Sequence, residues 1–329
     1  MEKLLSIRNL KVGLSKEGHD VELVRGVSLD VGAGEIVALV GESGSGKSLT
    51  ALSILRLLPS SLRVFSGEVR LDGIDLVQLP EHELHKVRGK QVGVVFQDPL
   101  NALNPTLTIG TQLMNVVLSR TDCSRKEAHQ RAIEALRSVG INSVEQRMQA
   151  YPHQLSGGMR QRVLIAMVVL GPPRLVLADE PTTALDVTVQ ARIVSLLRHI
   201  RESSQVAIVF ISHNLDLVAE FCDRVVVMYG GRIMEQGTSA QVTTAPRHPY
   251  TKALLACIPR LDAVPGPLQV IQGQSPSNPG LIDGCPFTAR CARATSACHH
   301  NFPERVQEDV DHSFFCWNPE PRQEGSRLG

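Results

Sequence analysis

The chain has 329 residues, enough for one large domain with a full hydrophobic core and an appendage. Its 34 basic and 33 acidic residues leave a formal charge of +1, which excludes the broad basic field that draws a protein to nucleic acid. No apolar run reaches the roughly 18–20 residues that span a bilayer, and Met1-Glu2-Lys3-Leu4-Leu5 lacks a basic n-region ahead of a long apolar segment. The expectation is a cytosolic chain that meets a membrane only through a partner.

In chain order, residues 35–40, 91–96, 175–178 and 206–211 are near-continuous apolar, β-branched runs. Runs of this kind suit strands of a parallel sheet covered on both faces, so the expected class is α/β. Between residues 98 and 157 the pattern turns helical. Ser124-Arg125-Lys126-Glu127 has the spacing of a capping box, and Ala132, Ile133, Leu136 and Val139 follow at helical intervals. This predicts a helical subdomain inserted at about 98–157. After Asp186, a further amphipathic helix is marked by Ile193, Leu196, Leu197 and Ile200. Residues 225–228 and 232–234, split by Gly230-Gly231, read as a hairpin. From about Gln241 the composition shifts towards Pro and Gly, through Pro265-Gly266-Pro267 and residues 275–280. A first domain over 1–240 and an irregular extension over 241–329 are expected, with a frayed tail from Pro319.

Four elements carry chemistry. Gly41-Glu42-Ser43-Gly44-Ser45-Gly46-Lys47-Ser48, followed by Leu49, has the P-loop pattern directly after an apolar strand. Gly41, Gly44 and Gly46 let the backbone wrap phosphates, Lys47 reaches the β- and γ-phosphates, and Ser48 ligates Mg²⁺. Asp179-Glu180 ends another strand, where one carboxylate can hold the magnesium shell and the next orient water; an acidic turn is the plain alternative. Gln97 and His213 each end a strand at the edge where parallel sheets bind ligands, although taken singly each is more often structural. Finally, Leu155-Ser156-Gly157-Gly158-Met159-Arg160-Gln161-Arg162 opens a helix on a Ser-Gly-Gly turn. Free N–H groups, a hydroxyl and the positive helix end there suit a second phosphate, or a partner's nucleotide.

In this order the motifs resemble those of ABC-transporter ATPase subunits, over most of residues 1–240. The resemblance implies a P-loop core with a parallel sheet, an antiparallel β subdomain and the inserted helical subdomain, working as an ATP sandwich dimer. Ser156, Gly157, Gly158 and Gln161 would serve the partner's ATP, and Gly41, Ser43, Gly44, Ser45, Gly46, Lys47, Ser48 and Leu49 the chain's own. Glu180 would be the catalytic base, Asp179 a Mg²⁺ ligand with Ser48 and Gln97, Asp186 of Ala184-Leu185-Asp186 the cross-dimer carboxylate, and His213 the γ-phosphate switch. The family usually stacks adenine on an upstream aromatic, yet none precedes Phe65. Leu14 or His19 would have to lie against the base.

His248-Pro249-Tyr250-Thr251, then Gly284-Cys285-Pro286-Phe287 and Arg290-Cys291, resemble the C-terminal extension of dipeptide and oligopeptide importer ATPases, as does the loop over residues 98–105. That resemblance implies a sister ATPase, two permeases, an extracytoplasmic peptide-binding protein and a peripheral place on the cytoplasmic face of the bacterial inner membrane. Related importers move nickel chelates, glutathione or antimicrobial peptides, so cargo stays open; a soluble regulatory or redox ATPase is the alternative from another class. Cys285, Cys291, Cys298 and Cys316 fall as C-x5-C-x6-C-x17-C, without the tight knuckle of structural zinc. A [4Fe–4S] cluster is expected there, favoured by the resemblance, with Zn²⁺ or free thiols as alternatives. Phe287, Phe314, Phe315 and Trp317 could shield it. His299 and His300 are spare donors, and Cys123, Cys222 and Cys257 are expected as buried apolar side chains.

Overall fold

The computed structural model describes residues 3–16, 19–99, 102–182, 185–257, 270–276 and 278–322, with the backbone alone at Lys16 and His19. Leu100, Asn101, Ala184, Pro265-Gly266-Pro267 and Ser277, which the sequence reading used, lie outside the described residues, as does the His19 side chain. Two compact units emerge. One comprises Gly32–Glu35 and Leu79–Ile211, the other Lys3–Val31, Ile36–Gln78 and the chain from Ser212 onward.

The first unit contains three parallel strands, Val92–Val95, Leu175–Asp179 and Ala207–Ile211. Val92 pairs with Leu175, and Leu175 with Ala207. The second and third strands are buried at every position, as their unbroken apolar runs require. Helices Ile109–Leu118, Arg125–Ser138 and Val144–Met148 make up the predicted helical insert. The Ser124 hydroxyl accepts from the Glu127 N–H at 3.2 Å, so the N-cap half of the predicted box forms, while the Glu127 carboxylate accepts from Arg131 at 2.6 Å. Ala128, Ala132, Ile133 and Leu136 then bury one face. At about 1.5–3 kcal/mol for each large apolar side chain, this stripe rather than helix propensity fixes the segment. In helix Val187–Ser204, Val194 is buried beside Ile193, Leu197 and Ile200, while Leu196 is half-buried.

The second unit carries an antiparallel sheet in the order His19–Gly32, Lys3–Lys16, Arg63–Leu71, Ile74–Asp75. Residue-level pattern reading placed no strand before residue 35. Leu5, Ile7, Leu10 and Val12 are buried, but charged or polar residues interrupt them and the pairing register shifts between Arg8 and Val12. Strand Ile36–Val40 pairs in parallel with Arg224–Tyr229, which turns through Gly230 and Gly231 at φ 53° and 78° into Arg232–Thr238, the predicted hairpin.

The extension is irregular over most of its described length beyond residue 257, yet short elements tie it to the sheet. Strand Ser313–Phe314 adds antiparallel to Arg232–Thr238, pairing Phe314 with Glu235, and Val306–Gln307 pairs onto it in turn. Helix Pro249–Ala256 follows from His248, whose Nδ1 accepts from the Tyr250 N–H at 3.0 Å. The start of the tail is tied down too: the Glu320 N–H donates to the Arg247 carbonyl, and its carboxylate takes Lys252 at 2.8 Å. Two-residue strands have no readable period, so only the hydrogen bonds reveal them.

Candidate functional site

In the second unit, the Gly41–Ser48 loop leaves the buried strand Ile36–Val40 and enters helix Lys47–Ile54. Gly41, Gly44 and Gly46 have φ of 144°, 78° and 97°, all in the left-handed region that glycine tolerates. At Gly41 the requirement is also steric, since a Cβ would stand 2.1 Å from the Met228 carbonyl oxygen. Lys47 is buried, and its Nζ donates to the carbonyls of Gly41 and Glu42 at 2.8 Å each and to Ser45 Oγ at 3.2 Å. The ammonium is thus held back over the loop. Ser43 and Gly44 form its exposed tip, while Ser48 and Leu49 are half-buried.

His213 also belongs to this unit and is exposed. The turn around it is pinned on both sides: the Ser212 N–H donates to Leu39 O at 3.4 Å, and the Asn214 N–H to Ser212 Oγ at 3.0 Å. Leu14, offered as a rest for adenine, is half-buried.

The first unit brings Gln97 and Glu180 together. The Gln97 amide donates to Glu180 Oε2 at 3.1 Å. Glu180 has φ 46°, and its N–H donates to Ile211 O at 3.0 Å. A non-glycine residue held in the left-handed region by a neighbouring strand costs of order 1–3 kcal/mol, a local strain typical of functional positions. Asp179, one residue earlier, is buried at the strand end.

Ser156 caps helix Gly157–Leu170; its Oγ accepts from Met159 N–H at 3.3 Å, and Ser156 and Gly157 are exposed. Arg160 Nε donates to Pro152 O, and Arg162 Nη1 to Gly140 O, both at 2.7 Å, which locks the entry to the helix. Gln161, grouped with the exposed turn in the sequence reading, is 2% exposed and donates to Phe96 O at 3.2 Å. It braces the strand end before Gln97 and sits apart from the exposed cap. Asp186 is exposed and caps helix Val187–Ser204 through the Val189 N–H at 3.0 Å. Ser156 and Asp186 therefore have local structural roles whatever else they contact.

Sequence reasoning missed the contacts of the extension. Glu235 is fully buried and accepts from the Arg247 and His248 N–H groups at 2.7 and 2.8 Å, with His312 Nε2 at 2.8 Å. Phe287 packs on Tyr229 and Tyr250, with centroids at 5.4 and 5.2 Å, and Phe315 on Phe302 at 5.4 Å. Of the scattered cysteines only Cys222 is buried; Cys123 and Cys257 are partly exposed.

The profile of the ABC transporter family matches residues 24–183, and that of the oligopeptide/dipeptide transporter C-terminal region matches residues 234–298. The dipeptide transport ATP-binding protein DppD of Bacillus subtilis (strain 168) is 44% identical over 329 residues, covering 100% of this chain and 98% of the relative. The oligopeptide transport ATP-binding protein OppD of Escherichia coli (strain K12) is 44% identical over 297 residues, 90% of this chain and 88% of the relative. Among solved structures, the dimeric post-hydrolysis state of the ATP-binding cassette MJ0796 bound to ADP and Pi aligns with TM-score 0.65 at 29% identity, covering 71% of this chain and 98% of that one. A phosphate loop, a strand-end acid pair and a Ser-Gly-Gly helix cap on this fold define an ABC-type ATP hydrolase. Carrying the oligopeptide/dipeptide C-terminal region as well, the chain belongs to the peptide-transporter ATP-binding subunits of that family.

The iron–sulfur expectation is overturned. Cys285, Cys291, Cys298 and Cys316 do line one small cavity, with His248 and Trp317. Among the described residues, however, no three His, Cys, Asp or Glu side chains are disposed to hold a metal ion. Burial pushes the Cys285 thiol up to about 11 and Cys316 to about 12, and raises Cys291. The C-x5-C-x6-C-x17-C spacing gathers the side chains without giving them a ligand geometry. The shielding role also lapses: Phe287 belongs to the tyrosine cluster, and Trp317 is 45% exposed.

Proposed function

We propose that this chain energises a bacterial importer of dipeptides or oligopeptides, pairing with a sister ATPase beneath two permeases fed by an extracytoplasmic binding protein. The observation that carries the reading is full-length similarity to a dipeptide transport ATP-binding protein, with cassette and extension both matched. Among the described residues no helix is long and apolar enough to cross a membrane, so the proposed contact with the inner membrane is made through the permeases, on the cytoplasmic face.

Each role follows from the chemistry of its residue. Lys47 leaves its loop carbonyls for the β- and γ-phosphates, and loop N–H groups from Ser43 to Leu49 take the phosphate oxygens. Each of Ser48, Gln97 and Asp179 carries a hard oxygen donor of the kind Mg²⁺ takes, as a hydroxyl, an amide oxygen and a carboxylate. When bound, magnesium would neutralise charge on the phosphates. Glu180 orients and deprotonates the attacking water, and Gln97 holds its carboxylate in place until water takes that position. His213 donates to a γ-phosphate oxygen. Ser156, Gly157 and Gly158 stabilise the partner's γ-phosphate with the positive end of their helix, and Asp186 carries the contact between subunits.

The test is Glu180→Gln in the assembled transporter. Hydrolysis is expected to fall about 10²–10⁴-fold with ATP binding retained, the range for loss of a general base. Turnover close to wild type would remove Glu180 from that role. Uptake assays with di-, tri- and longer peptides then decide the cargo.

A further inference from the structure

An acidic residue within a phosphate-binding loop is an electrostatic liability, because its carboxylate repels the polyanion the loop must hold. Glu42 is such a residue, and the structure commits every polar group it has. Its N–H donates to the Tyr250 hydroxyl at 2.8 Å. Its carbonyl accepts from Lys47 Nζ at 2.8 Å and from the Ser45 N–H at 3.2 Å. Its carboxylate takes both arms of Arg290, Nη1 to Oε2 at 2.6 Å and Nη2 to Oε1 at 3.0 Å, together with the Ser275 hydroxyl. Tyr250, Ser275 and Arg290 all come from the extension, more than 200 residues away in the chain.

Arg290 is built for this contact. Its side chain is only 6% exposed. Nε donates to Gln272 O and Nη2 to Ile271 O, both at 2.9 Å, and Nη1 to the Tyr229 hydroxyl at 3.0 Å. The turn that presents it, Thr288–Arg290, is fixed by the Thr288 hydroxyl, which donates to the carbonyls of Cys285 and Cys298 at 2.7 and 3.0 Å. The cysteine-bearing segment thus aims a guanidinium at the phosphate loop. Burial opposes the charged Glu42, but hydrogen bonds from Arg290 and Ser275 outweigh it and hold the carboxyl below its ordinary range.

We propose that Arg290 is a positioning and charge-compensating residue of the ATP phosphate loop, acting through Glu42 and never touching the nucleotide. The extension is then part of the ATP site, setting the loop's charge and holding its first turn. This rests on ATP being the loop's ligand, as proposed above.

The experiment measures ATP affinity and steady-state hydrolysis of the full chain in the assembled transporter, in four forms. Arg290→Ala should raise Kd and KM for ATP on the order of tenfold while kcat stays within about threefold, since a charge-assisted pair is lost and Glu180 is untouched. Adding Glu42→Gln to Arg290→Ala removes the orphaned charge and should bring ATP affinity back to within about threefold of wild type. A merely structural Arg290 would show no such rescue, so a double variant as weak as Arg290→Ala overturns the proposal, as does Arg290→Ala with unchanged affinity. Arg290→Lys keeps the cation and provides a reading should Arg290→Ala fail to fold: affinity within about threefold of wild type supports charge compensation, and a tenfold loss in the folded variant overturns it. A wild-type chain that binds no ATP defeats the functional reading instead, which separates the two failures.

Discussion

The phosphate loop and the C-terminal extension are held together by opposite means. Within Gly41–Ser48 most of the shape comes from neighbours in sequence: three glycines with positive φ, a lysine folded onto carbonyls five and six residues away, and a helix that starts where the loop ends; Glu42, tied to Tyr250 and Arg290, is the exception. The extension is held by contacts of longer reach: Glu235 meets Arg247 and His248 across 12 and 13 residues and His312 across 77, and Glu42 meets Arg290 across 248. Local geometry of this kind can be repeated in any fold that needs a phosphate. The extension is thus packed into the second unit.

The sharpest way to break that view is at Glu235. The carboxylate is fully buried and meets two backbone N–H groups and a histidine nitrogen. Glu235→Ala leaves those groups without their acceptor in a site water cannot reach. The expected loss is about 3–5 kcal/mol of unfolding free energy, measured by urea denaturation of the full chain. A loss under about 1 kcal/mol would mean that the extension is an independent appendage.

A smaller effect is expected from pH. His248 is completely buried, and desolvation lowers its pKa to about 4 from 6.5, against the weaker pull of Glu235. Because the folded value is depressed, stability is whole above about 6.5 and declines as pH falls, since the unfolded chain takes up a proton that the folded chain refuses. The decline flattens below about 4. By linkage the loss reaches about 2 kcal/mol at pH 5, before most carboxylates titrate. His248→Asn retains an acceptor for the Tyr250 N–H and a good helix cap, so its stability should vary less between pH 7 and 5 than that of wild type. Equal slopes for the two would show that His248 does not carry the dependence.

These two regions also account for how far the sequence could be read. Gly41, Gly44, Gly46, Lys47, Ser156 and Asp186 were legible because each does structural work within a few residues: a positive-φ glycine, a lysine folded onto its own loop, or a side chain capping the helix that follows. The core strands were legible because burial on both faces leaves an unbroken apolar run. Gln161 was misplaced because the motif lies on a helix, where residues three to four apart share a face and Gln161 turns inward from Ser156. The four cysteines were over-read, since spacing brings thiols to one cavity without fixing their ligand geometry. Arg290 and Glu42 carried no signal at all; a contact across 248 residues leaves no period and no motif.

The smallest expected effect on stability is at Ser156, and there the local and long-range roles can be separated. Its hydroxyl accepts one N–H, from Met159, at the start of an exposed helix end. Ser156→Ala removes the cap and should cost about 1 kcal/mol of stability. Ser156→Asp restores an acceptor at the same place and adds a favourable charge at the positive end of the helix, so the folded chain should be at least as stable as wild type. The same charge would face the γ-phosphate of a partner's ATP and oppose it. The proposed role across the dimer therefore predicts a stable Ser156→Asp chain that no longer pairs with its sister ATPase on ATP, read by thermal melting of the chain and light scattering of the two ATPases together. If Ser156 is only a helix cap, the aspartate variant will both melt and pair like wild type, and the second phosphate site must be sought elsewhere on the chain.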